Sequence, residues 1–111
     1  KKFNPSVHKY ILFVPKKDSY TQKAKYLLKY VGCKSGQYLE TRGLNYYCDG
    51  SYISTAKKTD MAGKPLSQFI FNGFIPNDKF FAIATHPYAY DSKYFGFVDK
   101  SQIERGASPV F

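Results

Sequence analysis

Residues 44–55 read LNYYCDGSYIST, from Leu44 to Thr55. Two runs rich in Tyr, Ile and Thr flank the dipeptide Asp49-Gly50. Asp-Gly supplies the positive-φ backbone that a two-residue hairpin turn requires, and aromatic and β-branched residues suit a pleated, half-buried surface. The stretch predicts two antiparallel strands. The same pattern extends outward on both sides. QYLETRG (Gln37–Gly43) alternates and stops at a glycine, and YLLKYVG (Tyr26–Gly32) precedes it across the turn signal Ser35-Gly36. KYILFVP (Lys9–Pro15) is a short apolar run closed by proline. Downstream, KKTDMAGKPLS (Lys57–Ser67) reads as a loop, and FIFNGFIP (Phe69–Pro76) carries Asn72-Gly73, a second hairpin signal. KFFAIATHP (Lys79–Pro87) is the most apolar strand, and YFGFVD (Tyr94–Asp99) is a short one. DSYTQKAKY (Asp18–Tyr26) is the one candidate helix, two turns opening on an Asp or Ser cap. Short strands with turns every 8–12 residues predict an all-β, mainly antiparallel fold.

Composition agrees. The 111 residues suit one domain. They are 43% hydrophobic, with 11 Tyr and 10 Phe carrying much of the apolar content. The formal net charge of +9 is uneven: residues 1–34 hold nine lysines against one acid, Asp18. Such an end attracts anionic lipid or nucleic acid. No apolar run approaches the 18 or so residues of a membrane-spanning helix. No G-x-S-x-G, phosphate-binding loop or C-x-x-C occurs. Ser6, His86 and Asp91 are the residue types of a catalytic triad, but spacing alone does not assemble them.

Cys33 and Cys48 permit one pairing. They flank a strand–turn–strand unit, which suits a cross-strand bridge; two separate buried thiols are the alternative. Zinc is not expected, because these cysteines and the distant His8 and His86 lack ligand spacing. On the strand Tyr26–Gly32, Leu28 and Tyr30 share one face, and Leu27, Lys29 and Val31 share the other. Lys29 therefore points with two apolar neighbours. Either it snorkels to water, or it sits in a partly dry site where desolvation lowers its pKa and makes it a usable base.

Read in order, YLLKYVGCKSG (Tyr26–Gly36), YYCDGSYIS (Tyr46–Ser54), FNGFIPNDKFFAIATHP (Phe71–Pro87) and DSKYFGFVDKSQI (Asp91–Ile103) resemble the bacterial type I signal peptidase family, peptidase S26, and most of all its conjugative-transfer (TraF-type) branch. The resemblance covers roughly residues 9–111. It implies a signal-peptidase-like β fold with one short helix at most, and a serine endopeptidase using a Ser-Lys dyad without metal or organic cofactor. The family's lysine lies seven residues before a turn glycine; here these are Lys29 and Gly36. The family's Asp-Ser-Arg-Tyr-Phe-Gly segment braces the wall that holds that lysine, and Asp91 and Lys93 occupy its Asp and Arg positions. Two departures stand out. Lys93 replaces an arginine and has no bidentate fork. Ala89 replaces a serine that, in many members, hydrogen-bonds the lysine.

The nucleophile admits two registers. In one, NPSVHKYILFV (Asn4–Val14) is the serine segment and Ser6 is the nucleophile. In the other, KYILFVPKK (Lys9–Lys17) is an internal strand, and the serine lies upstream, after a transmembrane helix. The second fits the strand better. The resemblance thus implies a single extracytoplasmic domain, residues 1–111, of a protein at the periplasmic face of the bacterial inner membrane. Its partners would be a secreted precursor, foremost a conjugative pilin subunit, and an anionic membrane surface. A non-catalytic member of the same fold acting in pilus assembly, and a basic β module binding single-stranded nucleic acid, are the alternatives; nucleic acid is not the expected partner.

Overall fold

The computed structural model describes residues 3–108. Two antiparallel sheets make up the fold. The strands are β1 (Tyr10–Phe13), β2 (Leu27–Lys34), β3 (Tyr38–Arg42), β4 (Asn45–Cys48), β5 (Ser51–Thr55), β6 (Gly73–Phe74), β7 (Lys79–Ile83), β8 (Val98–Asp99) and β9 (Ile103–Ala107), with one helical turn, α1 (Ser92–Phe95), between β7 and β8. One sheet runs β8-β7-β2-β1-β9 and the other β5-β4-β3-β6. This is the all-β fold expected, and none of its helices is long and apolar enough to cross a membrane.

β7 explains why its sequence is a continuous apolar run rather than an alternating one. Phe81 and Ile83 pack into the larger core with Leu39, Tyr46 and Ile75. Ala82, on the opposite face, packs with Ile11, Phe13 and Val98 in a second cluster. A strand covered on both faces has no polar side to show. The Asp49-Gly50 hairpin forms as read: both residues have positive φ, 50° and 86°, and β4 pairs with β5.

Three expectations differ from the structure. Asp18–Tyr26 forms turns, not a helix. The Asp18 carboxylate accepts from the Tyr20 and Thr21 backbone N–H groups, closing a tight local turn. Two helical turns do not repay helix nucleation, and a side-chain cap of this kind competes with the helix. Asn72-Gly73 is not a hairpin. β6 is two residues long and pairs with β3, and the preceding segment is tied through side chains: Asn72 Oδ1 accepts from Thr41 N, and Phe71 N donates to Thr41 Oγ. Phe69 and Phe71 pack edge-on to Phe97, which holds this segment over the core. Finally, the first residues of YFGFVD belong to α1 and only Val98–Asp99 is strand. Asp91 caps α1, its carboxylate accepting from Lys93 N.

Cys33 and Cys48 form a disulfide. It is not a bridge within one hairpin. Cys33 lies in β2 and Cys48 in β4, so the bond ties one sheet to the other. Closing a loop of 15 residues stabilises by about 3 kcal/mol in the chain-entropy model. The double variant Cys33→Ser/Cys48→Ser should therefore lose about that much in urea unfolding, with the fold retained. An unchanged midpoint would show that the sheets do not depend on the tie.

Candidate functional site

β1 and β2 pair with Ile11 opposite Lys29, and β2 continues to pair with β7, Tyr30 opposite Ile83. The face reading of β2 holds. Leu27, Lys29 and Val31 are half-buried, while Leu28 is 59% and Tyr30 39% exposed. Lys29 thus lies where β1, β2 and the C-terminal end of β7 meet. It lines a cavity of about 330 Å³ with Tyr10, Leu28, Tyr30, Ile83, Ala84 and Thr85. The ion pairs among the described residues are Arg42–Glu40, Lys79–Asp99 and Lys93–Asp91, so Lys29 has no carboxylate of its own. Burial pushes its pKa below the ordinary lysine value; Asp91 opposes that shift and Lys93 adds to it. Burial is the largest of the three, which is the behaviour of an amine in a partly dry site.

Asp91 and Lys93 are not a surface pair. Lys93 Nζ lies 2.7 Å from Asp91 Oδ2, with side chains 2% and 0% exposed. The carboxylate also accepts from Ala84 N at 3.0 Å and Lys93 N at 2.9 Å. Between them Ser92 Oγ accepts from Ala82 N. This segment therefore stitches α1 to β7 and to the residue just beyond it. The Lys93 carbonyl is held in turn, accepting from Phe69 N at 2.8 Å with the Tyr46 hydroxyl 3.2 Å away. Tyr46 is fully buried, and burial pushes its pKa up to about 12. It is a structural donor at neutral pH.

Ser6 is elsewhere. It is exposed in a turn, its backbone N–H donating to Asn4 Oδ1, and it lines a cleft with Lys34, Ser35, Phe80 and Lys100. Lys34 and Lys29 are five positions apart on β2, about 16 Å along an extended strand. Ser6 and Lys29 are not brought together. Nor is the Ser6, His86, Asp91 set assembled, because Asp91 is committed to Lys93 and His86 Nδ1 accepts from Tyr88 N.

The model of the signal peptidase, peptidase S26, family matches residues 3–111. The chain belongs to that family. The crystal structure of a signal peptidase I from Enterococcus faecalis is similar in fold, with a TM-score of 0.58 at 19% identity over 95% of this chain and 97% of that one. A comparison with curated protein sequences gives no significant match. A signal peptidase is a protease acting on a precursor protein, and its family is membrane-associated with an extracytoplasmic domain.

Some features of this signal peptidase fold lay beyond the sequence reading. Tyr30, Ile83, Ala84 and Thr85 line both the Lys29 cavity and a second one of about 390 Å³ that adds Tyr52, Ser54, Lys57 and His86. The signal available was the change of character within KFFAIATHP, from wholly apolar to Ala-Thr-His-Pro, which marks where β7 leaves the core. Removing Asp91 leaves a buried ammonium without a counter-charge. Asp91→Ala should cost about 3–5 kcal/mol in denaturant unfolding, and replacing both partners by Leu and Met should cost much less. Equal losses from the single and the double variant would contradict this.

Proposed function

We propose that Lys29 is the general base of a Ser-Lys endopeptidase of the signal peptidase type, and that Asp91 and Lys93 brace its wall. The observation that carries this reading is a half-buried lysine with no acid partner among the described residues, its pKa lowered by burial, in an open groove beside a fully buried ion pair. A neutral Nζ takes the proton from a serine hydroxyl as its oxygen attacks the scissile carbonyl; the ammonium then gives that proton to the departing amine, and water hydrolyses the acyl-enzyme. Because Ser6 lies at the other end of β2, the nucleophile in this reading is a serine preceding β1, carried upstream in the protein. The pairing of β1 with the lysine strand supports that register.

The finer identity rests on the sequence segments. They favour the conjugative-transfer branch, a pilin-like precursor as substrate, and the periplasmic face of the inner membrane as location, with the lysine-rich surface against anionic lipid. Ala89 and the position of Ser6 favour a second reading, a non-catalytic signal-peptidase-like protein of pilus assembly.

Cleavage of a pilin precursor by membranes containing the whole protein separates the two. With Lys29→Ala, cleavage should fall by on the order of 10²–10⁴-fold, the usual contribution of a positioned general base. Equal processing by both proteins would remove Lys29 from the chemistry and leave the assembly reading.

A further inference from the structure

The two cavities adjoin, with Tyr30, Ile83, Ala84 and Thr85 lining both, and the pair is taken together as one groove with Lys29 in one half and Lys57 in the other. The far half combines an apolar lining from Ile53, Ile83, Ala84 and Pro87 with a set of polar groups. Its walls carry the hydroxyl residues Tyr52, Ser54, Thr55 and Thr85, the imidazole of His86, and two lysines, Lys57 and Lys93. Lys93 is neutralised by Asp91. Lys57 has no such partner: the described ion pairs leave it out, and no acid lines this half of the groove.

Lys57 is also held in place. Its backbone N–H donates to Tyr94 Oη at 2.8 Å, the preceding Ala56 is buried, and its Nζ lies 5.2 Å from the Tyr88 ring centroid. The aromatic face attracts the ammonium and favours its position at the groove wall. The Tyr52 and Thr55 hydroxyls are committed to one another and to Asn45, which leaves those of Ser54 and Thr85 beside Lys57; an uncompensated cation with such donors is complementary to a carboxylate.

We propose that Lys57 is a specificity-determining residue that selects an acidic side chain, Asp or Glu, in the polypeptide lying in this groove. The proposal rests on the groove being the substrate site and extends it to a substrate class: a precursor with an acid at the position that reaches Lys57. No proton transfer is assigned to Lys57.

The test is binding, so that it does not depend on cleavage. Fluorescent extended peptides, each carrying Glu at one position and paired with its Gln counterpart, are titrated against the whole protein at low salt. One position, or two adjacent positions, should favour Glu by about three- to tenfold. Lys57→Gln should abolish that preference and leave the Gln peptides within about twofold of their original affinity. Lys57→Glu should favour a Lys peptide at the same position, and added salt should shrink the Glu advantage alone. A flat scan, an advantage that survives Lys57→Gln, or failure of every peptide to bind would overturn the proposal. A Lys57-dependent preference in a protein that cleaves nothing would support it while removing the peptidase reading.

Discussion

The buried pair of Asp91 and Lys93 is the constraint around which the rest is arranged. Removing two charges from water costs several kcal/mol per ion, and only good geometry with further hydrogen bonds offsets it. Both are present: a 2.7 Å contact, and backbone N–H groups from Ala84 and Lys93 on the same carboxylate. Those bonds fix the chain just past β7 against the start of α1. The Lys93 carbonyl then fixes Phe69, whose ring packs on Phe81 and Phe97. One ion pair thereby links the end of the most buried strand, the helical turn and the aromatic cover of the larger core. A lysine suffices here although it lacks an arginine's fork, because the second and third bonds to the carboxylate come from the backbone.

The same arrangement sets the electrical surroundings of Lys29. Asp91 and Lys93 act on it with opposite signs, so desolvation dominates. A lone carboxylate in that place would hold the amine protonated. A neutralised one supplies a rigid wall with little net field, which suits a base that must be neutral to act.

Much of the architecture was legible because the strands are local and strongly patterned. The alternation in Tyr38–Arg42, the Asp49-Gly50 turn and the split faces of β2 all describe the structure. What escaped depends on contacts distant in sequence. Asn72-Gly73 has the composition of a hairpin, but Thr41 captures Asn72 and the Phe69–Phe71–Phe97 cluster holds the segment extended. Asp18 has the composition of a helix cap, but its carboxylate closes a turn and also accepts from the Tyr90 hydroxyl, across 72 positions. The two cysteines were read as partners, yet their role in joining the sheets follows only from topology. At the candidate site, the half-buried face of Lys29 was legible from the alternation of β2, and the pairing of Asp91 with Lys93 from a family resemblance. Their complete burial was not, since a charged pair two residues apart ordinarily faces solvent. Lys57 had no local signal: it opens a polar loop, and only the packing of Tyr88 and Tyr94 gives it a fixed position.

The central claim is that the fold holds Lys29 as a readily neutralised amine. NMR titration of the side-chain amines of the domain, with Lys29 assigned through Lys29→Arg, tests it most directly. The predicted result is that Lys29 loses its proton at a pH below the ordinary lysine range. Titration of Lys29 within that ordinary range would mean that its ammonium reaches water, and the dry, braced site described here would not exist.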